Sequence, residues 1–444
     1  MKKILYTFFL IVVFALAIEA KPTKKDFSTV INDSGVDIES ISVSIKNIEN
    51  GKIVYALNDK MLMNPASVQK ILTTPVIYET LGEDYLFRTG LYERNEGCYL
   101  LKLGADPYLK TSDLKTLLKN IQSESRVIFI DDSILDNKNW GEGWQWDDDM
   151  NIHMPKFGAY NLDKNLVKLT IMPTQKGQFA TIINPSKYPL VFFNHISTGE
   201  STKIEVHRDN NISANTLMMS GEVARPTVVY IPVNNLQRYF KVQLKRALEE
   251  RNIYLKTDFV PNKLVESDNF LFEITHGIDS AVDDVFKNSN NLVSETLFKL
   301  AGAKYLGLET GTDVAGIKMF NDYCVKNKLD NSRIRITDAS GVSKNNLVST
   351  DFITDFLVIN KNNKVMQRLP KPGEGTLTHR MLPIKENLRA KTGTLKDLSS
   401  IAGYVTSKSG KKYSFCIIIN DMKLSSSDKK MLEDYIIREA YLNL

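Results

Sequence analysis

Apolar strand signals at both ends of the chain, helical spacing between them and a β-rich middle predict an α+β protein. In that plan one antiparallel sheet with helices is assembled from distant parts of the chain and interrupted by inserted β-rich domains. Two hairpins carry the first observation. Residues 41–45 and 53–56 flank Glu49-Asn50-Gly51-Lys52, an Asn-Gly turn between apolar runs. Residues 401–405 and 413–419 flank a polar turn that contains Gly410. The last segment, 429–442, places Leu432, Tyr435, Ile436 and Ala440 at helical spacing. The middle, from about 89 to 263, carries short β-type runs at 166–171, 179–183 and 227–231 and closes with a helical stretch at 236–250. The predicted organisation is a leader at 1–20, a discontinuous domain made of 21–88 and 264–444, and a β-rich insertion at 89–263.

At 444 residues the chain exceeds one ordinary core, which agrees with several domains. Its net charge of +5 is spread among mixed acids and bases with no basic block, so nucleic acid is not an expected partner. The first twenty residues differ from the rest. Lys2 and Lys3 precede an apolar run at 4–17, and small residues at Ala15, Ala17 and Ala20 follow as cleavage points. That order is a secretory signal peptide, with a run short for a membrane span. Export to the periplasm follows, with an uncleaved anchor or peripheral membrane association as the alternatives. Cys98, Cys324 and Cys416 form no CxxC and allow at most one disulfide. Cys416 lies in an apolar strand-like run and is expected as a buried free thiol.

Three short motifs carry chemistry. Asn64-Pro65-Ala66-Ser67-Val68-Gln69-Lys70 reads as a helix start, with Asn64 as N-cap and Pro65 as first helical residue. Ser67 then falls in the first turn, where backbone N–H groups lack intrahelical partners and the dipole favours negative oxygen. Lys70 lies one turn on along the same face and can take the serine proton if its pKa is lowered. Ser112, Ser409, Ser426 and Ser427 also begin Ser-x-x-Lys matches, each readable as a surface helix or turn. Pro75 is expected to bend or end this helix early.

Ser289-Asn290-Asn291 falls in a loop between predicted helices at 281–286 and 292–303. There Ser289 can relay a proton and the Asn291 amide can hold a peptide. Ser267-Asp268-Asn269 and Ser343-Lys344-Asn345 match the same pattern. Lys391-Thr392-Gly393-Thr394 reads as a strand entering the C-terminal hairpin. Lys391 and Thr392 suit a carboxylate, Gly393 permits close backbone approach, and the Thr394 N–H suits an oxyanion. Lys408-Ser409-Gly410 reads as a solvated turn.

Ser-x-x-Lys, Ser-x-Asn and Lys-Thr-Gly in that order are the signature of penicillin-recognising serine enzymes. The chain resembles the D-alanyl-D-alanine carboxypeptidase/endopeptidase family, the class C low-molecular-mass penicillin-binding proteins. Its members carry extra domains between the first two motifs, and Ser67 and Ser289 are separated far more widely than in the common β-lactamases. Asp338-Ala339-Ser340-Gly341-Val342-Ser343 resembles the family's acidic Ser-Gly loop. Gly375-Thr376-Leu377 with Arg380, and 389–395, resemble its approach to the Lys-Thr-Gly strand. Asn290 and Ala339 depart from it, where relatives often carry Asp and Gly. The resemblance implies a transpeptidase-like fold and an acyl-enzyme on Ser67, with Lys70 as base and Ser289 and Lys391 assisting proton transfer. Asn291 would complete the catalytic set, and Thr392, Gly393 and Thr394 would bind substrate. The implied partners are peptidoglycan stem peptides, with β-lactam antibiotics as covalent inhibitors.

The blander readings are weighed beside this one. Trp140, Trp144 and Trp146 are read first as a structural aromatic cluster and second as a glycan platform. The five histidines show no HxxH or HExxH spacing and no phosphate-binding glycine loop occurs, so no metal or cofactor is expected. No Gly-x-Ser-x-Gly elbow is present. The alternatives are a β-lactamase and a non-catalytic penicillin-sensing or envelope-binding module.

Overall fold

The computed structural model describes residues 27–121, 127–256 and 259–444, and the leader at 1–20 lies outside them. Ile41–Asn47, Ile53–Leu57, Leu388–Leu395, Leu398–Thr406 and Lys412–Asn420 form one antiparallel five-stranded sheet. The first strand of the chain pairs with the last, Ile41 opposite Ile419, so the two termini close one sheet. Between its exposed ends Lys412–Asn420 is buried and, Ser414 apart, apolar because both of its faces are covered, and its side chains alternate between them. Tyr413, Phe415, Ile417 and Ile419 pack beneath the C-terminal helix Ser426–Asn443, against Leu432, Ile436 and Ala440. Cys416 and Ile418 face the other way, into the core built on the helix Gln69–Leu81. Cys416 is a buried free thiol, as its apolar surroundings imply.

That helix is buried nearly all round and packs against Asn291–Leu306. Pro75 sits inside it without ending it. The helix continues to Leu81 and is closed by Gly82 at φ 85°. Proline in a helix interior costs about 3 kcal/mol. Here Ile71, Leu72, Val76 and Ile77 are seated in the main core on both sides of the proline, and that packing offsets the lost backbone bond.

The intervening residues form three further sheets. The largest joins Leu86–Asn95, Cys98–Lys102, Val127–Asp131, Val260–Pro261 and Asn269–Gly277. Asn269–Gly277 pairs antiparallel with Leu86–Asn95 along its length, so the excursion extends to Gly277 before the helix Ile278–Lys287 begins. By sequence the second part of the outer domain begins at 264, whereas Asn269–Gly277 pairs with a strand at the start of the insertion. Its ladder partners place it with the insertion, because pairing register across a sheet is invisible in one strand alone. The two smaller sheets contain Leu166–Met172 and Thr216–Val223, and the helix Leu236–Glu249 packs into the same core.

A separate small cluster joins the insertion to the outer domain. Trp144, Met154 and Phe157 bury themselves against Leu292 and Val342, with Trp140 edge-on to Trp144 at 5.0 Å. Trp146, by contrast, is 83% exposed. Replacing Trp144 with alanine should lower unfolding free energy by about 3–5 kcal/mol, measured by denaturant titration. A loss under ~1 kcal/mol would show that this cluster does not hold the insertion in place.

Candidate active site

Ser67 stands at the start of the buried helix, with one local difference from expectation. The α-helix proper begins at Gln69, and Ser67 occupies a 3-10 turn at Ala66–Val68. Ala66 adopts φ 47°, a left-handed conformation that alanine rarely takes. Three contacts hold it there. Asn64 Oδ1 accepts the Ala66 N–H at 2.8 Å, Asn64 Nδ2 donates to Ser343 O, and Ser400 Oγ donates to Pro65 O at 2.7 Å. The turn is crowded from two sides by glycines. A Cβ on Gly341 would lie 1.9 Å from Ala66 O, and one on Gly393 would lie 2.8 Å from Ser67 N. No side chain fits at either place.

Lys70 is fully buried, and its Nζ meets three partners: Ser67 Oγ at 3.1 Å, Asn291 Oδ1 at 2.7 Å and Ser340 O at 2.7 Å. Two of these can only accept. A neutral amine has two hydrogens, so Asn291 and Ser340 take both and its lone pair is left toward the Ser67 hydroxyl. Burial pushes Lys70 down to about 7, against the opposing pull of Asp338 and Glu295. The other side of Asn291 is fixed too, because its Nδ2 donates to His153 O of the insertion.

Ser289 lies between the helices Ile278–Lys287 and Asn291–Leu306, half-buried and at φ 57°. Asn288 and Asn290 flank it and both donate to the Asp284 carboxylate, at 2.8 and 2.7 Å. Asn290 also caps the second helix by accepting the Val293 N–H. An amide there serves as both cap and donor, which accounts for asparagine at this position. The other two Ser-x-Asn matches lie outside this loop. Asp268 pairs with Arg94, and the Ser343 N–H donates to Asp338.

Lys391 sits on the edge strand Leu388–Leu395, fully buried, with Nζ donating to Thr392 O at 2.7 Å. Burial and then the neighbouring Lys70 hold it well below the usual lysine range. The Ala390 N–H leaves the sheet to bond Pro370 O. Backbone groups alternate in direction along a strand, so the N–H groups of Thr392 and Thr394 point out along the same free edge. Thr392 Oγ1 donates to Thr376 Oγ1, and Thr394 is exposed. Gly393 supplies the clearance for this edge to lie against the Ser67 turn.

Two groups that motif reading did not single out complete the site. Trp144 Nε1 donates to Asp338 Oδ2 at 2.8 Å, and Asp338 also accepts from Gly341 N, Ser343 N and Asn346 Nδ2. Glu295, four residues after Asn291 on the same helix face, accepts from Ala339 N and Ser340 N. The only sequence signal for Glu295 is an acid at i+4 from a motif asparagine within an otherwise buried helix. Arg380 lies elsewhere, ion-paired with Glu433 and Asp434 on the C-terminal helix.

An antiparallel sheet whose edge strand borders a half-buried serine paired with a buried lysine defines a penicillin-recognising serine hydrolase. The chain belongs to the D-Ala-D-Ala carboxypeptidase 3 (S13) family, whose model matches residues 23–440, and this family comprises serine-type D-Ala-D-Ala carboxypeptidases. It is 24% identical over 424 residues to the D-alanyl-D-alanine carboxypeptidase DacB of Haemophilus influenzae, covering 87% of this chain and 86% of that protein. It is 23% identical over 437 residues to the D-alanyl-D-alanine carboxypeptidase of an Actinomadura species, covering 89% and 80%. The crystal structure of penicillin binding protein 4 from H. influenzae superposes with a TM-score of 0.81 at 22% identity, covering 94% of this chain and 100% of that one.

Site-selective titration of lysine resonances in a Ser67→Ala variant should show Lys70 with a midpoint near 7. A midpoint in the ordinary lysine range, near 10.4, would mean that water reaches the amine.

Proposed function

We propose that this enzyme removes D-alanine from peptidoglycan stem peptides, or cleaves their D-amino-acid cross-links, through an acyl-enzyme on Ser67. The observation that carries the assignment is the Lys70 amine, 3.1 Å from Ser67 Oγ with two fixed acceptors on its remaining hydrogens. Lys70 takes the serine proton as Oγ bonds to the carbonyl carbon of the penultimate D-alanine. The oxyanion is received by the N–H groups of Ser67 and Thr394. As the C–N bond breaks, the proton returns to the leaving amine by way of Ser289. Lys391, poorly solvated and close to Lys70, holds its own proton loosely and can assist that transfer. Thr392 Oγ binds the substrate carboxylate, and water hydrolyses the ester with Lys70 again as base.

The same serine should react with β-lactams, whose carbonyl mimics the scissile one. A β-lactam complex of the H. influenzae protein, at TM-score 0.75 and 21% identity, has the same fold. The basic–apolar–small leader supports export to the periplasm, where the polymer lies. No helix among the described residues is long and apolar enough to cross a membrane.

Incubation with penicillin should add one penicilloyl mass to the protein, on the peptide containing Ser67, and Ser67→Ala should abolish it. An adduct that survives this substitution would reject the assignment. D-Alanine release from a pentapeptide muropeptide should fall at least ~10³-fold in Lys70→Met, and cross-linked dimers assayed beside it separate carboxypeptidase from endopeptidase action.

The acylation rate should rise with pH through about 7 and then level. Lys70 must be neutral to accept a proton, so its lowered pKa makes the base available above that value and unavailable below it. A limb centred near the ordinary lysine value would exclude Lys70 as the base.

A further inference from the structure

We infer that Glu295 is a positioning residue for Lys70, acting through the Ala339–Ser340 peptide; the inference rests on the acyl-enzyme reading of Ser67 and Lys70. The segment is gripped on both sides. Its N–H groups donate to Glu295, Ser340 N to Oε1 at 2.8 Å and Ala339 N to Oε2 at 3.2 Å. Its carbonyls accept from the nucleophile helix, Ser340 O from Lys70 Nζ at 2.7 Å and Ala339 O from Thr73 Oγ1 at 2.9 Å. The Ser340 N–H shares its rigid peptide plane with the Ala339 carbonyl, so Glu295 fixes the carbonyl that Thr73 grips and anchors Ser340 itself, whose own carbonyl lies in the next plane with the Gly341 N–H held by Asp338.

Glu295 also shares a helix face with Asn291, whose Oδ1 is the second acceptor on Lys70. Both acceptors that set the amine geometry are thereby referred to one element, Asn291–Leu306: one directly and one through Glu295. Glu295 is 1% exposed, so water cannot replace its two acceptor oxygens. The charged or titratable groups facing it are Asp338, Asp313 and Lys70, with Lys391 beyond Lys70. Burial, then Asp338, raises the Glu295 carboxyl to about 8. The geometry above does not depend on which form it takes, since either retains oxygens able to accept.

The role separates from simple packing by its effect on the base. Loss of the carboxyl removes the group that anchors an acceptor of the Lys70 ammonium, and that weakens its hold on a proton. The test compares penicillin acylation across pH in the full chain carrying wild-type, Glu295→Gln, Glu295→Leu or Glu295→Met sequence. Met is unbranched and of matching length, and serves if Leu prevents folding. End-point penicilloyl stoichiometry gives the active fraction in each case.

Per active site, Glu295→Leu or Glu295→Met should acylate at least ~30-fold more slowly at the plateau, with the acid limb moved to lower pH. Glu295→Gln keeps an acceptor oxygen and should recover to within ~5-fold of wild type. A profile merely scaled down without movement of its limb, or a Gln variant as slow as Leu, would overturn the inference. Wild-type protein that is not acylated at Ser67 would instead sink the parent reading.

Discussion

The structure turns on taking one lysine amine out of water and aiming it at a serine. An isolated buried ammonium is strongly disfavoured, so the group must shed its proton readily, find acceptors, or both. Lys70 does both. Asn291 comes from the helix Asn291–Leu306 and Ser340 from the loop at 338–343, so three remote segments must assemble before the amine has its partners. A second buried lysine, Lys391, adds repulsion that neither charge would tolerate on its own. Each amine is thereby pushed toward its neutral form.

Close approach is the second constraint, and it explains where backbone strain collects. Ala66 and Ser289 both hold left-handed φ values, the first beside Ser67 and the second in the loop that leads to Asn291. Such conformations cost on the order of 1–3 kcal/mol and persist where surroundings over-determine them. Around Ala66 the surroundings are Asn64, Ser400 and the two glycines, Gly341 and Gly393, that let loop and strand touch the turn. Around Ser289 they are two asparagine side chains anchored to one aspartate. The clearance at Gly393 lets the free edge of Leu388–Leu395 lie against the Ser67 turn. An edge strand is usually a liability, and here the edge borders the serine–lysine pair.

The insertion takes part in the site. His153 offers its carbonyl to Asn291, and Trp144 donates to Asp338, which in turn organises the loop carrying Ser340. Trp144 thus supports the reading of a structural aromatic residue, while Trp146 stands apart in solvent. The long excursion between the first two motifs supplies an outer layer to the partners that hold the base.

Much of this was legible in one dimension. Both hairpins, the loop position of Ser289 and the edge strand of Lys391 follow from local signals: turn residues, caps and apolar period. The order of three short motifs singled out Ser67, Lys70, Asn291 and Lys391, and the fold brings their elements together. Local rules failed where packing overrides them. Pro75 stays inside a helix because burial on both sides outweighs one lost bond, and Ala66 leaves helical geometry because a strand and a loop press on it. Glu295 and the His153 carbonyl had no usable signal, since their partners lie 44 and 138 positions away in sequence, and Trp144 was legible as a structural aromatic but its bond to Asp338, 194 positions away, was not. By itself the sequence determined which chemical groups are present and the local elements that carry them. Only the tertiary structure decided which acceptors surround the lysine and how dry it is, because burial and hydrogen-bond partnership are properties of segments meeting in space.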